Sequence, residues 1–342
     1  MFNKFQDIYV MNRFGGGVGG GGFGGGGGGG GQATGGRRTF SYLAAPTSVS
    51  TSMGSSETMA NGTSVNTWNF NNGGGFNGNR SVPGPVIEAN QGSNVQVTLN
   101  SAMALPHTIH FHGLDVDQQN DGVPATSFSV SQGSYTYNFT APHAGTYQYH
   151  CHVDTHQHYE LGMFGTVIIR PSNGSTSRIW DSGPSFDKEY LWHLTTYDSP
   201  WHSAGGGNGP GGPGGPGAVA DSLMRYNPDY FMINGKDGNN PHTDSATAIT
   251  AAAGDRVLIR INGTSYMPGM VRMGGLPFEV VASDGRPLAQ SYTATEQLCC
   301  AGERYDIILT MPSSGTYTGS IEYRNIRNNA VLGSATTTIT VA

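Results

Sequence analysis

The chain of 342 residues is poor in charge: 17 Lys and Arg against 23 Asp and Glu give a net charge of −6, with 12% of residues charged. Such a chain carries no basic footprint for nucleic acid or an anionic membrane surface. No apolar run approaches the roughly 20 residues that span a bilayer. Cysteine is scarce as well. Cys151 stands alone between two histidines, and Cys299 and Cys300 are adjacent, so the chain is not a disulfide scaffold. The opening stretch, MFNKFQDIYVMNRFGGG, lacks the apolar core of a secretory leader, and no export signal is expected in it. Histidine is absent after His242, although the chain has 11 of them.

What is present in excess is glycine, 54 residues of it. Residues 15–31 read GGGVGGGGFGGGGGGGG, a tract that cannot bury enough apolar surface to offset its backbone entropy. Residues 1–38 are therefore expected to form a disordered arm, and the Gly/Pro-rich stretch 203–218 a mobile loop. The remainder reads as all-β. SNVQVTLN (93–100), GSYTYNFTAP (133–142), GTYQYHCHV (145–153) and GTVIIRP (165–171) are short β-branched and aromatic runs, several alternating with period two. No segment shows a long helical period. The pattern also repeats: GSNVQVTLN (92–100) echoes GDRVLIRIN (254–262), and QGSYTYNFTAPHAGTYQY (132–149) echoes AGERYDIILTMPSSGTYTGS (301–320). A repeat of this length is a domain. Two similar β-domains are expected, over 39–172 and 185–342, joined by a linker at 173–184.

Seven of the 11 histidines fall in two stretches, LPHTIHFHG (105–113) and YHCHVDTHQHYELGMFG (149–165). His110 and His112 are two apart, as are His150 and His152, and residues i and i+2 of a strand face the same way. Two such pairs on neighbouring strands bring four imidazoles to one side, while Cys151 faces the other. Thiolate, imidazole and a weak thioether form the blue-copper ligand set. Met163, five residues after His158, offers the thioether, and His107 is the remaining imidazole.

These two stretches resemble the copper-binding strands of the multicopper oxidases, in particular their two-domain, laccase-like members. The resemblance is strong over about residues 80–170 and implies two cupredoxin-like Greek-key β-sandwich domains with copper as cofactor. It implies a type 1 copper set of His107, Cys151, His158 and Met163. It also implies that His110, His112, His150 and His152 are half of a trinuclear type 2/3 site, with Cys151, His150 and His152 carrying electrons between the two. The commonest family spacing would select His156 instead of His158, leaving Leu161 as axial neighbour; His158 is preferred because Met163 and a Gly-Met-x-Gly ending accompany it. The implied partners are dioxygen and a reducing substrate (a phenol, a metal ion or a redox protein). The implied assembly is a homotrimer, or a pairing with a separate chain that supplies missing ligands. The implied location is extracellular, at the cell surface or periplasmic.

The second half resembles the family only in scaffold, through YFMING and AGERYDIIL. Met267, Met270 and Arg272 stand at the spacing of His107, His110 and His112. IEYRNIRNN occupies the place of the second His-x-His strand. His193, His202 and His242 are unassigned, His143 reads as a surface residue, and Asp115 suits a turn or a cluster water. Three function classes stay open: a laccase-like oxidase with a full or reduced cluster (or a nitrite reductase-like relative), an electron-transfer cupredoxin without oxidase turnover, and a coat protein. Intact type 1 residues argue against the coat protein, and four retained cluster histidines favour the oxidase.

Overall fold

Alternation in SNVQVTLN becomes a strand in which Val95, Val97 and Leu99 are fully buried while Asn94 and Gln96 face solvent. The computed structural model describes residues 42–45, 47–72, 82–102, 104–202 and 225–342. The arm expected over 1–38 and the loop expected over 203–218 lie outside the described residues. Residues 42–170 supply nine strands: β1 (Tyr42–Ala44), β2 (Thr47–Thr58), β3 (Ser64–Asn71), β4 (Val86–Asn90), β5 (Asn94–Ser101), β6 (His110–His112), β7 (Gly133–Thr140), β8 (Gly145–His150) and β9 (Phe164–Arg170). One short helix, α1 (Thr155–Glu160), lies between β8 and β9. Residues 188–341 supply β10 (Lys188–Tyr197), β11 (Tyr230–Ile233), β12 (Ile249–Ala251), β13 (Arg256–Gly263), β14 (Gly269–Met273), β15 (Phe278–Ser283), β16 (Arg286–Ala294), β17 (Glu296–Cys299), β18 (Arg304–Thr310), β19 (Gly315–Arg324) and β20 (Val331–Val341).

Each half is a sandwich of two sheets. The first pairs β1-β4-β9-β8-β6 with β3-β2-β5-β7; the second pairs β11-β10-β13-β18-β15-β16 with β12-β20-β19-β14-β17. Each sandwich closes on its own core, around Phe70, Val97, Phe111 and Tyr149 in the first and around Trp192, Ile259, Val280 and Ile321 in the second. The fold is the cupredoxin-like β-sandwich expected from the sequence.

β8 is buried along its whole length because it is covered on both faces. Tyr147 and Tyr149 enter the first core. Thr146, Gln148 and His150 face the second sandwich. Thr146 donates its hydroxyl hydrogen bond to Asp306, and Gln148 Nε2 donates to Asn262 Oδ1 at 2.9 Å. Asn262 donates in turn to Thr166 on β9, whose hydroxyl lies 2.8 Å from His193 Nε2.

A buried ion network continues this seam. Arg170 on β9 donates to both oxygens of Glu189 on β10 at 2.7 Å, and Arg260 on β13 donates to the same carboxylate at 2.7 Å. Arg170 also pairs with Glu88 on β4. Burial opposes the Glu189 charge, but Arg170 and Arg260 outweigh it and hold the carboxyl well below the usual range. Removing one member leaves buried charge uncompensated, which costs about 3–5 kcal/mol. Glu189→Ala is therefore expected to lower the thermal unfolding midpoint markedly, as measured by calorimetry. Because the native carboxyl is depressed, its contribution is complete above the ordinary carboxylate range and is lost as pH falls below it; Glu189→Gln should flatten that acid limb of the stability curve.

Candidate metal centres

Two clusters of metal-ligating side chains are packed back to back around the end of β8. The first comprises His107, Cys151 and His158, all buried. Cys151 continues the β8–β9 ladder, its N–H donating to the Met163 carbonyl at 3.0 Å. Its side chain thus falls on the Tyr149 side, in the first core. His107 is held by a bridge to Val130. His158 sits in α1, a turn of helix that begins after Asp154 in a left-handed conformation. The Nδ1 atoms of His107 and His158 both point at Cys151 Sγ, at 3.8 and 3.2 Å. The His107 and His158 rings lie 5.0 Å apart, and the Trp68 ring packs 5.0 Å from His158.

Met163 is fully buried, and its backbone bonds to both Cys151 and His158. His156, the alternative ligand, points elsewhere: its ring is 6.2 Å from Trp201, outside the cluster. The helical turn explains the choice, because residues two apart on a helix do not share a face. Glu160, at the end of α1, anchors the turn. It accepts from the Asp198 N–H at 2.7 Å and from the Tyr226 hydroxyl at 2.9 Å, with His202 Nε2 at 3.4 Å.

The second cluster lies on the seam between the sandwiches. His110 and His150 face each other across β6 and β8. His112 Nδ1 is 3.3 Å from His150 Nε2, and the His152 ring is 5.2 Å from that of His110. His110, His112 and His150 present ligand atoms within 4.8 Å of one another; His152 stands just outside that set. His110 Nδ1 is 2.7 Å from the Asp121 carbonyl and 3.2 Å from its carboxylate, and His150 Nδ1 is 3.0 Å from the Cys151 carbonyl. A ring that donates from Nδ1 to a carbonyl keeps the Nε2 lone pair free for a metal.

Arg304, at the start of β18, closes the seam beside this cluster. It is 2% exposed. Its Nη1 lies 3.4 Å from Asp284 Oδ1 and also bonds to the Gly302 carbonyl, while Nε has no hydrogen-bond partner. Two glycines permit the approach. A Cβ on Gly113, at φ +84°, would collide with Arg304 Nη2, and one on Gly302, at φ +76°, would stand 3.1 Å from the His112 ring. The other expected candidates lie apart. His143 and Asp115 are exposed at the surface, with Arg286 on Asp115 at 2.6 Å. His193 packs on Thr166, and His242 bridges Thr336 and Thr338. Met273 belongs to the second core and Met267 to a smaller cluster with Trp201.

The electrostatics suit a metal rather than protons. Burial pushes His107 down to about 4 and His158 down to about 3, and takes His112 and His150 well below the usual imidazole value. All four are neutral at pH 7, as metal binding requires. Burial pushes the Cys151 thiol up to about 11, so a metal must displace its proton. The His107 Nε2 is buried with no hydrogen-bond partner. Thiolate and imidazole nitrogens converging on one point, with a methionine alongside, fit copper.

The comparisons agree with this chemistry. Two family models described as multicopper oxidase match residues 63–174 and 213–342. Multicopper oxidase MmcO of Mycobacterium tuberculosis is 27% identical over 244 residues, 67% of this chain and 46% of that protein. Oxidoreductase OpS5 of Beauveria bassiana is 29% identical over 237 residues, 68% of this chain and 38% of that one. The chain thus spans about half or less of the length of these curated relatives. Among solved structures, the blue copper oxidase from Nitrosomonas europaea superposes with a TM-score of 0.68 at 27% identity, covering 88% of this chain and 86% of that one. Sandwich and paired clusters define a cupredoxin-type copper protein. The chain belongs to the multicopper oxidase family, whose members bind copper.

The lowered imidazole values predict a pH dependence with a definite sign. Unfolded histidine takes up its proton near 6.5, while His107 in the fold waits until about 4. The metal-free protein should therefore lose stability as pH falls from about 6.5 toward 4. Denaturant titration at a series of pH values checks this, and His107→Gln should weaken the slope.

Proposed function

We propose that the protein is a copper-dependent oxidoreductase of laccase-like type, with His107, Cys151, His158 and Met163 as a type 1 copper set and His110, His112, His150 and His152 as a second copper site. The observation that carries this reading is the back-to-back geometry: the Cys151 sulfur lies with His107 and His158, while His150 and His152, its two sequence neighbours, turn to the opposite side. Copper, when bound at both places, supplies one-electron chemistry that collects electrons from a reducing substrate and delivers them to dioxygen.

The chain's own groups serve that chemistry in distinct ways. Trp68, Leu161 and the surrounding core keep water from the Cys151 sulfur. The His150 ring donates to the Cys151 carbonyl, so the backbone between the clusters is tied to the receiving imidazole by a hydrogen bond as well as by bonds. Asp121 holds the His110 ring from behind. Thr108 accepts the His152 N–H at 3.0 Å and fixes the backbone beside the sulfur.

The reducing partner is a phenol, a metal ion or a redox protein, and the expected site of action is outside the cytoplasm. Among the described residues, no helix is long and apolar enough to cross a membrane. A full trinuclear cluster would need ligands from another copy or another chain, in a trimer or a mixed assembly. The buried cation Arg304, packed against Gly113 directly after His112, favours a second site holding fewer ions than three.

Copper content, visible absorption and electron paramagnetic resonance of the copper-loaded protein test the proposal together. Blue copper plus at least one further copper per chain, with oxygen consumed on addition of a phenolic donor, is the expected result. Cys151→Ser should abolish the blue band while the further copper stays bound. One blue copper alone, without oxygen uptake, would mark the chain as an electron carrier instead.

A further inference from the structure

We propose that Arg304 makes the histidine cluster an anion-dependent metal site, in which copper is held together with one small monovalent anion seated against the guanidinium. The inference rests on the reading of His110, His112, His150 and His152 as a copper site, and deepens it.

Arg304 is a buried cation with little to balance it. The carboxylate beside it, Asp284, is 53% exposed and stands 3.4 Å from Nη1. Asp306, two residues along β18, is already engaged by Thr146 and Arg260. The Arg304 Nε is buried without a partner. A buried charge that lacks its counter-charge is costly, and each orphaned donor adds to that cost.

The neighbours across the seam do not help. Imidazole is neutral or cationic and never an anion, so the cluster offers Arg304 no negative charge. Gly113 and Gly302 together fix the proximity, since each leaves the room that the other segment's side chain occupies. The approach is thus built into two backbone positions of positive φ, one on each sandwich.

A metal cation entering the cluster would add like charge beside a guanidinium that cannot move away. A small anion resolves both problems at once. It offsets part of the positive charge on both and accepts from the guanidinium N–H that has no partner. Metal and anion are then thermodynamically linked: each raises the affinity of the other by the same factor. The ligand class is a compact monovalent anion such as azide, nitrite or a halide.

The test is copper binding by the full chain, measured by equilibrium dialysis with and without azide, together with the azide-to-copper charge-transfer band. In the wild type, azide is expected to tighten the non-blue copper about tenfold or more. Arg304→Gln should bind azide about tenfold more weakly, and should hold copper more tightly than the wild type in azide-free buffer. Arg304→Lys, which keeps the charge without the fork, should fall between them. The blue band of the same samples reports that the fold and the Cys151 site are intact. Equal azide affinity in all three proteins overturns the proposal, as does copper affinity in the wild type that ignores azide. Wild-type protein that takes up no copper beyond the blue ion would instead overturn the reading of the cluster itself, and this inference with it.

Discussion

An extended backbone turns successive side chains to opposite faces, and residues 146–152 depend on that constraint more than any other part of the molecule. Thr146, Gln148 and His150 point one way, into the second sandwich, and Tyr147, Tyr149 and Cys151 point the other, into the first core. A strand slipped by one residue would exchange the two sets. Cys151 would then be turned into the seam, and the histidines would be driven into an apolar core. The packing of both sandwiches therefore specifies the register, and the register places both clusters of candidate metal ligands at once. Neither cluster can be moved without the other, which is why a single His-Cys-His element suffices to build both.

Specificity of that register comes from the polar seam. A purely apolar face between the sandwiches would tolerate small slides. Thr146 with Asp306, Gln148 with Asn262, and Arg170 with Glu189 tolerate none, because each displaced group would be left buried and unpaired. Net stability from such ion pairs is modest, since desolvation offsets most of the attraction. Their consequence lies in alignment. The same face that carries Arg260 and Asp306 carries Arg304, so the pairing that aligns the sandwiches also brings the guanidinium up to Gly113, the residue after His112.

Much of this was legible in the sequence because period-two reasoning needs only neighbours along the chain. It assigned Cys151 and the His-x-His pairs to opposite faces, and SNVQVTLN to a half-buried strand. It could not separate His156 from His158: the commonest family spacing offered the first, and Met163 with its Gly-Met-x-Gly ending favoured the second. Once Thr155–Glu160 is helical, the two rings diverge and His158 alone reaches the sulfur. Arg304 and Glu160 were not legible as site residues. AGERYDIIL reads as the start of a strand, and nothing local signals that its arginine meets a histidine nearly two hundred positions earlier. Glu160 likewise looks like a surface residue of a short helix, yet its carboxylate is buried against Asp198, His202 and Tyr226. The one local hint was Gly113 directly after His112, a position where a side chain would collide with Arg304 Nη2.

The second sandwich repeats the pairing of the first without its chemistry. β14 lies against β19 as β6 lies against β8, but the facing residues are Met270 with Glu322 and Arg272 with Ser320. Arg272 is spent on Glu296 at 3.0 Å and on Glu322 at 3.7 Å, a partly exposed ion pair rather than a buried ligand set. A half that had merely lost its histidines would be a spacer. This one instead supplies a wall of the other half's cluster, through Gly302 and Arg304 on the strand that the seam aligns. Charge, not coordination, is what it contributes there. On the reading proposed above, that charge limits how many metal ions the four first-sandwich histidines hold, although Arg304 ligates none of them.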